Sequence, residues 1–321
     1  MEMKTNLTQL LDIKYPILQG GMAWVGTGEL AAAVSRADGL GIIGAGNAPA
    51  ETIEKEIDKV QQSTDKPFGV NIMLLSPYAE DIVDLCIDRN VPVVTTGAGN
   101  PGKYIDRFKE HDIRVIPVVP AVALARRMER MGADAIIAEG SESGGHIGQL
   151  CTLALIPQIV DSVEIPVIAA GGIADGRGIV AALSLGASGV QMGTRFVCAE
   201  ESTASDNYKQ AILKARDRDA VVTGRTTGHP VRNLKNRLTR KIQKMEEEGV
   251  SPEEIEQMGT GKLREAVKEG NTKNGSVMAG QISGMIEEIK PVAEIIEDII
   301  SEAREIIKYN FKLIGGSSHD G

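Results

Sequence analysis

The chain has 321 residues, 42% of them hydrophobic and only 3% aromatic, with 36 glycines and a formal net charge of −9. This supplies a sizeable core for one large domain or two ordinary ones, and it argues against a largely disordered chain or a nucleic-acid binder working by bulk charge. Cys86, Cys151 and Cys198 are too widely spaced for a metal knuckle or disulfide framework, no apolar run approaches a bilayer span, and the first residues lack a basic-then-apolar leader, so a cytoplasmic protein with no metal site and no membrane contact is expected.

Eight short apolar runs follow, bounded by Gly, Asn, Thr or Pro: Pro16–Met22, Leu40–Ala45, Pro67–Met73, Pro92–Gly97, Val115–Val119, Ala135–Glu139, Pro166–Gly171 and Gly189–Thr194. Amphipathic stretches between them predict helices over Ala50–Gln61, Pro77–Arg89 and Ala121–Met131; in the first, Ile53, Ile57 and Val60 recur at helical spacing. Strands alternating with helices predict βαβ units and a parallel sheet, with runs apolar throughout because both faces are covered. Eight units predict an α/β fold of the TIM (β/α)8 type; an open doubly wound sheet is the alternative.

Beyond Phe196 the texture changes. A helix is predicted over 204–215, then a polar stretch over 221–283 that reads as a small, mainly helical subdomain inserted after strand 8. Within it, Ser251-Pro252-Glu253-Glu254 has the Ser cap, first-turn Pro and third-position Glu of a helix start. Ile286–Ile307 predicts a long helix packing back on the barrel. The division is thus a barrel over 1–215, a subdomain over 216–283, a C-terminal helix over 284–312 and a disordered tail over 313–321.

The C-terminal ends of parallel barrel strands share one rim, where ligands bind. Here that rim carries Gly20-Gly21-Met22, Asn71, Thr95-Thr96-Gly97, Glu139, Gly171-Gly172 and Gly193-Thr194. Glycine admits a ligand to the backbone, whose N–H groups hold anions, so the loops after strands seven and eight suit a phosphate. After strand six, Glu139 to Gly148 brings together a carboxylate, a glycine turn and His146, a residue able to move a proton near neutral pH. Glu139 is either a ligand contact or a buried structural partner, and Asn71 either a ligand contact or a helix cap. His111 reads as solvated and His229 as a turn residue. From Val221 to Lys244 there are seven basic residues and no acidic one; a solvated helix face and an anion-docking patch are both open. The run Gly39–Gly44 is no nicotinamide fingerprint, since it precedes and enters a strand rather than following one.

Phe68-Gly69-Val70-Asn71, Glu139-Gly140 with Gly144-Gly145-His146, Ala169 to Arg177 and Gly189 to Phe196 together resemble the superfamily of nitronate monooxygenases and type II enoyl-[acyl-carrier-protein] reductases, from about Pro16 to Gly284. The resemblance implies a TIM barrel with bound FMN. Gly21, Met22 and Asn71 would touch the flavin, and Gly171, Gly172, Gly193 and Thr194 would hold its phosphate. Glu139 would sit under the ribityl chain or ring edge, His146 over the substrate, and Gly144, Gly145 and Gln281 complete the implied cofactor-binding set. Leu11 to Trp24 and Val277 to Gln281 look more like the reductase branch. That branch uses NADH or NADPH to reduce trans-2-enoyl thioesters on acyl carrier protein, the last step of fatty-acid elongation. It implies a transient carrier-protein partner and a homodimer; the basic stretch 225–244 would dock that carrier protein or the 2′-phosphate of NADPH. The monooxygenase branch, oxidising alkyl nitronates with oxygen, shares the His146 motif; a non-catalytic flavin or phosphate sensor is a third reading. Guanine-nucleotide-type dehydrogenase barrels have similar phosphate loops but need a nucleophilic Cys after strand six; Ser141–Gly148 has none, and Cys151 lies beyond it.

Overall fold

The computed structural model describes residues 3–313, so the predicted tail falls outside the described residues from position 314 onward. Strands β1 (Ile17–Gln19), β2 (Gly41–Gly44), β3 (Phe68–Met73), β4 (Val93–Gly97), β5 (Arg114–Val119), β6 (Ile136–Glu139), β8 (Val167–Ala170) and β9 (Gly189–Met192) form one parallel eight-stranded sheet. Each apolar run supplies one strand: β1, β2, β8 and β9 stop one to three residues short of the run's end, β3, β4 and β6 lose only the first residue, and β5 begins one residue earlier, at Arg114. A single bridge, Leu18 to Leu40, joins β1 to β2 and closes the barrel. Gln19, fully buried, reinforces that seam: its Oε1 accepts from Ile42 N at 3.1 Å.

The two-residue period of a strand sorts side chains inward and outward. Leu18, Ile42, Val93, Ile116, Ile137 and Ile168 fill the interior, and Leu7, Leu11 and Ile13 from the first helical segment stopper its base. Burying each such side chain is worth about 1.5–3 kcal/mol. Counting two further along each strand from this layer reaches Gly20, Gly44, Thr95, Val118, Glu139 and Ala170, and the same count from Gly69 and Gly189, on β3 and β9, reaches Asn71 and Gln191. The barrel mouth is therefore floored by small and polar groups, while its middle is apolar.

Helix α1 (Asn6–Leu11) closes the base, and the outer ring begins with α2 (Gly28–Arg36), α3 (Ala50–Ser63), α4 (Ala79–Asp88), α5 (Gly102–Lys109) and α6 (Val122–Arg130). It continues with α7 (Thr152–Val160), α8 (Gly176–Ser184), the short α9 (Thr194–Val197) and α10 (Asp206–Leu213). The last helix, α14 (Val292–Leu313), begins six residues later than the predicted Ile286. Pro291 explains the delay: it lacks an N–H and holds Lys290 out of helical geometry. Ile295, Ile296, Ile299 and Ile300 of α14 are buried. Glu302 Oε2 accepts from Gly176 N at 2.8 Å, tying α14 to the start of α8.

The subdomain holds α11 (Arg237–Glu247), α12 (Pro252–Gly259) and α13 (Lys262–Glu269), with Leu238, Ile242 and Ile255 forming a small core of their own. Ser251 caps α12, with Pro252 in its first turn. It also holds an antiparallel hairpin, β10 (Ala220–Thr223) and β11 (Val231–Leu234), that the sequence reading lacks. A third strand, β7 (Gly145–His146), comes from the loop after β6 and pairs with β11. The glycine turn carrying His146 is thus an ordered ladder, Val231 opposite His146 and Arg232 opposite Gly145. No helix among the described residues is long and apolar enough to cross a membrane.

Candidate active site

Beside the end of β1, a side chain at Gly193 would meet Met22 Sδ at 3.4 Å, and one at Gly172 would meet Glu142. Gly171 and Gly172 have φ of 92° and 74°, a backbone glycine alone adopts readily. The N–H groups of Gly171, Gly172, Gly193 and Thr194 donate to no atom among the described residues. Four free donors on two adjacent strand ends are a ready anion cradle. The later part of the 171–178 loop is different: Asp175 caps α8 by accepting from Arg177 N and Gly178 N, and Gly176 N is held by Glu302. The Gly171-Gly172 half of that loop keeps its donors free beside the end of β8.

Asn71 caps no helix; its Nδ2 donates to Thr95 Oγ1 at 2.9 Å, which orients the amide at the mouth. A Cβ on Gly21 would lie 2.2 Å from that of Asn71, so Gly21 is there to let Asn71 in. Gly144 likewise packs against the backbone of Ala279, 2.7 Å from where its Cβ would be. Gly145, at φ 80°, lies beside Met278 Sδ. Gln281 is exposed and contributes its backbone: Gln281 N donates to Glu142 O at 2.9 Å.

Residues 277–281 bind the parts together. Gly280 N donates to Thr194 Oγ1 at 2.9 Å, joining the end of β9 to the subdomain. The Tyr208 hydroxyl donates to Met278 O at 2.7 Å, with its ring buried. Tyr208→Phe should leave that carbonyl unpaired and cost about 1–3 kcal/mol in urea denaturation; an undiminished midpoint would mean that the bond is replaced without loss.

Glu139 points into the mouth at the end of β6. Burial pushes its pKa up to about 7, opposed by nearby Ser143. Ser143 Oγ is buried without a hydrogen-bond partner. Neighbouring Glu142 is differently occupied: its carboxylate accepts from Thr152 N and Thr152 Oγ1, each at 2.9 Å, capping α7. His146 is exposed along one side, and its ring makes no hydrogen bond among the described residues. Burial of the ring against the subdomain, and then the nearby His229, hold its pKa below the ordinary imidazole value. The imidazole is therefore neutral at physiological pH and offers one N–H donor and one acceptor nitrogen.

Four further residues belong to this site beyond the candidate set. Thr95 stands on the rim expected from the strand ends, and Gln191 lies inside the Gly189–Phe196 motif, two residues on from Gly189. Ser143 lies inside the flagged loop. Arg232 had only its charge as a signal; its Nε and Nη2 donate to Ser141 O at 3.2 and 2.8 Å, across 91 residues of chain. Among the described residues no cluster of His, Cys, Asp and Glu is placed to hold a metal.

A model of the nitronate monooxygenase family matches residues 4–86 and 80–302. A probable nitronate monooxygenase of Staphylococcus saprophyticus is 37% identical, covering 96% of this chain and 99% of that protein. The (3aS,4S,5R,7aS)-5-hydroxy-7a-methyl-1-oxo-octahydro-1H-indene-4-carboxyl-CoA dehydrogenase of Mycobacterium tuberculosis is 35% identical, over 94% of this chain and 97% of that protein. Among solved structures, FabK from Thermotoga maritima superposes with a TM-score of 0.94 at 56% identity, covering 97% of this chain and 99% of that one.

Proposed function

The chain belongs to the nitronate monooxygenase family, and on that footing we propose that it is an FMN-dependent enoyl-[acyl-carrier-protein] reductase of the FabK type, using NADH or NADPH. The observation that carries this choice is the 56% identity to FabK over nearly the whole chain. The donor set supports a flavin mononucleotide: the free N–H groups of Gly171, Gly172, Gly193 and Thr194 suit its phosphate. Met22, Asn71 and Glu139, with Ser143, would line the rest. When bound, FMN would supply two-electron redox chemistry.

His146 would act on the substrate side. Reduction of an enoyl thioester places negative charge on the thioester oxygen and calls for a proton at the α-carbon. A neutral imidazole held by the β7–β11 ladder can donate its N–H to that oxygen without reorganising. Acyl carrier protein is the proposed carrier, meeting the basic stretch 225–244 by charge complementarity. One observation favours the monooxygenase as a second reading: the lowered pKa of His146 keeps the imidazole free to take a proton from a nitroalkane.

The deciding experiment is anaerobic. Purified protein should show a flavin spectrum, bleach with NADH or NADPH, and recover its colour on addition of crotonyl-CoA. Failure to bleach with either nicotinamide, together with turnover of a nitroalkane in air, would reverse the choice.

A further inference from the structure

A cleft of about 360 Å³ opens between the loop carrying His146 and the β10–β11 hairpin. Ser141, Gly148, Gln149, Arg225, Pro230 and Arg232 line it, with no acidic residue, in a chain whose net charge is −9. Arg232 is only 7% exposed. Three of its five N–H groups are used, on Ser141 O and, at 3.3 Å, Ala220 O. Arg225 stands exposed on the short helical turn Arg225–Thr227, near enough to Arg232 to repel its charge.

Neither guanidinium has an ion-pair partner among the described residues. Glu142, the carboxylate that acts on Arg232, is committed to Thr152. Glu246 accepts from Thr226 N at 3.2 Å and does not line the cleft. A buried guanidinium without a carboxylate, with a second pressed toward it, is costly unless an anion joins them. The N–H groups of Gly148 and Gln149 also lack partners among the described residues. Two guanidinium forks with backbone N–H groups make a donor set suited to phosphoryl oxygens.

We propose that this cleft binds the phosphate groups of a reactant whose reacting end lies at His146. Two sources share that chemistry: the pyrophosphate of a nicotinamide dinucleotide, for which the chain has no glycine fingerprint, and the phosphate-bearing pantetheine arm of an acyl thioester. The proposal rests on the reductase reading for its reactants, though not for the anion site itself.

The test begins with the flavin-loaded protein and inorganic pyrophosphate, followed by calorimetry. Saturable binding is expected, weakened about tenfold in Arg225→Gln; no binding, or equal binding in the variant, overturns the proposal. Flavin bleaching by NADPH is then compared with bleaching by a phosphate-free dihydronicotinamide, and recovery with crotonyl-CoA is compared with recovery with crotonyl-pantetheine. In Arg225→Gln, a rise of about tenfold in apparent Kd for NADPH alone assigns the cleft to the nicotinamide, and for crotonyl-CoA alone to the acyl carrier arm. Equal losses with phosphate-free reactants would overturn it. Pyrophosphate binding lost in the variant, in a protein neither nicotinamide can bleach, would sustain the anion site and sink the reductase reading.

Discussion

His146→Ala should slow reoxidation of the reduced protein by an enoyl thioester about 10²–10⁴-fold, while flavin content and bleaching by a nicotinamide stay near the wild-type level. The separation follows from position. His146 lies on β7, in the subdomain's sheet, while the free donors proposed for the flavin phosphate lie on the ends of β8 and β9. Its ring has no other hydrogen-bonding duty among the described residues, so its loss should cost chemistry rather than folding. His146→Gln sharpens the test: a side-chain N–H can still polarise an oxygen but cannot pass on a proton. Partial recovery in the Gln variant points to charge stabilisation, and none points to proton transfer. If a nitroalkane is the substrate instead, activity should fall on the acid side of the ordinary imidazole pKa, because the lowered pKa must be crossed before the base is lost. Unchanged turnover in His146→Ala would remove the residue from the mechanism.

Glu139→Gln should make the flavin-free protein more stable at alkaline pH and change it little near pH 5. The folded carboxyl has its pKa raised from 4.5 to about 7. Between those values the folded chain keeps a proton that the unfolded chain has released. Stability is then lost as pH rises through this window, up to about 3 kcal/mol once Glu139 is ionised in both states. The neutral amide has no such penalty. Urea denaturation at about pH 5 and pH 8.5 reads the difference directly. Equal destabilisation at both values would mean that a structural interaction of the carboxylate outweighs its burial.

Most of the barrel is legible in the sequence because buried parallel strands need continuous apolar runs, and tight turns at their ends need Gly, Asn or Thr. The position of His146, just past such an end, is legible for the same reason. The glycines were harder. A Gly–Gly pair looks the same whether it admits a ligand or another strand of backbone; Gly171 and Gly172 keep free N–H groups, whereas Gly21 and Gly144 make room for Asn71 and Ala279. The β7–β11 ladder was illegible because β7 is two residues long and its partner lies more than 80 positions away. Pairing so short and so distant has no periodicity to read. Pro291, by contrast, was in plain view, and weighing it against the isoleucine pattern would have placed the start of α14 correctly.

The ladder also decides what travels with what. His146 is paired to the hairpin, and residues 277–281 bridge Thr194 and Glu142. Lifting the subdomain off the barrel would either carry the imidazole away from the β8 and β9 donors or break its strand pairing with Val231. The mouth therefore cannot swing wide and keep His146, the proposed proton-handling group, in place: on that proposal access and competence are mechanically opposed, and an open form would be a disarmed one.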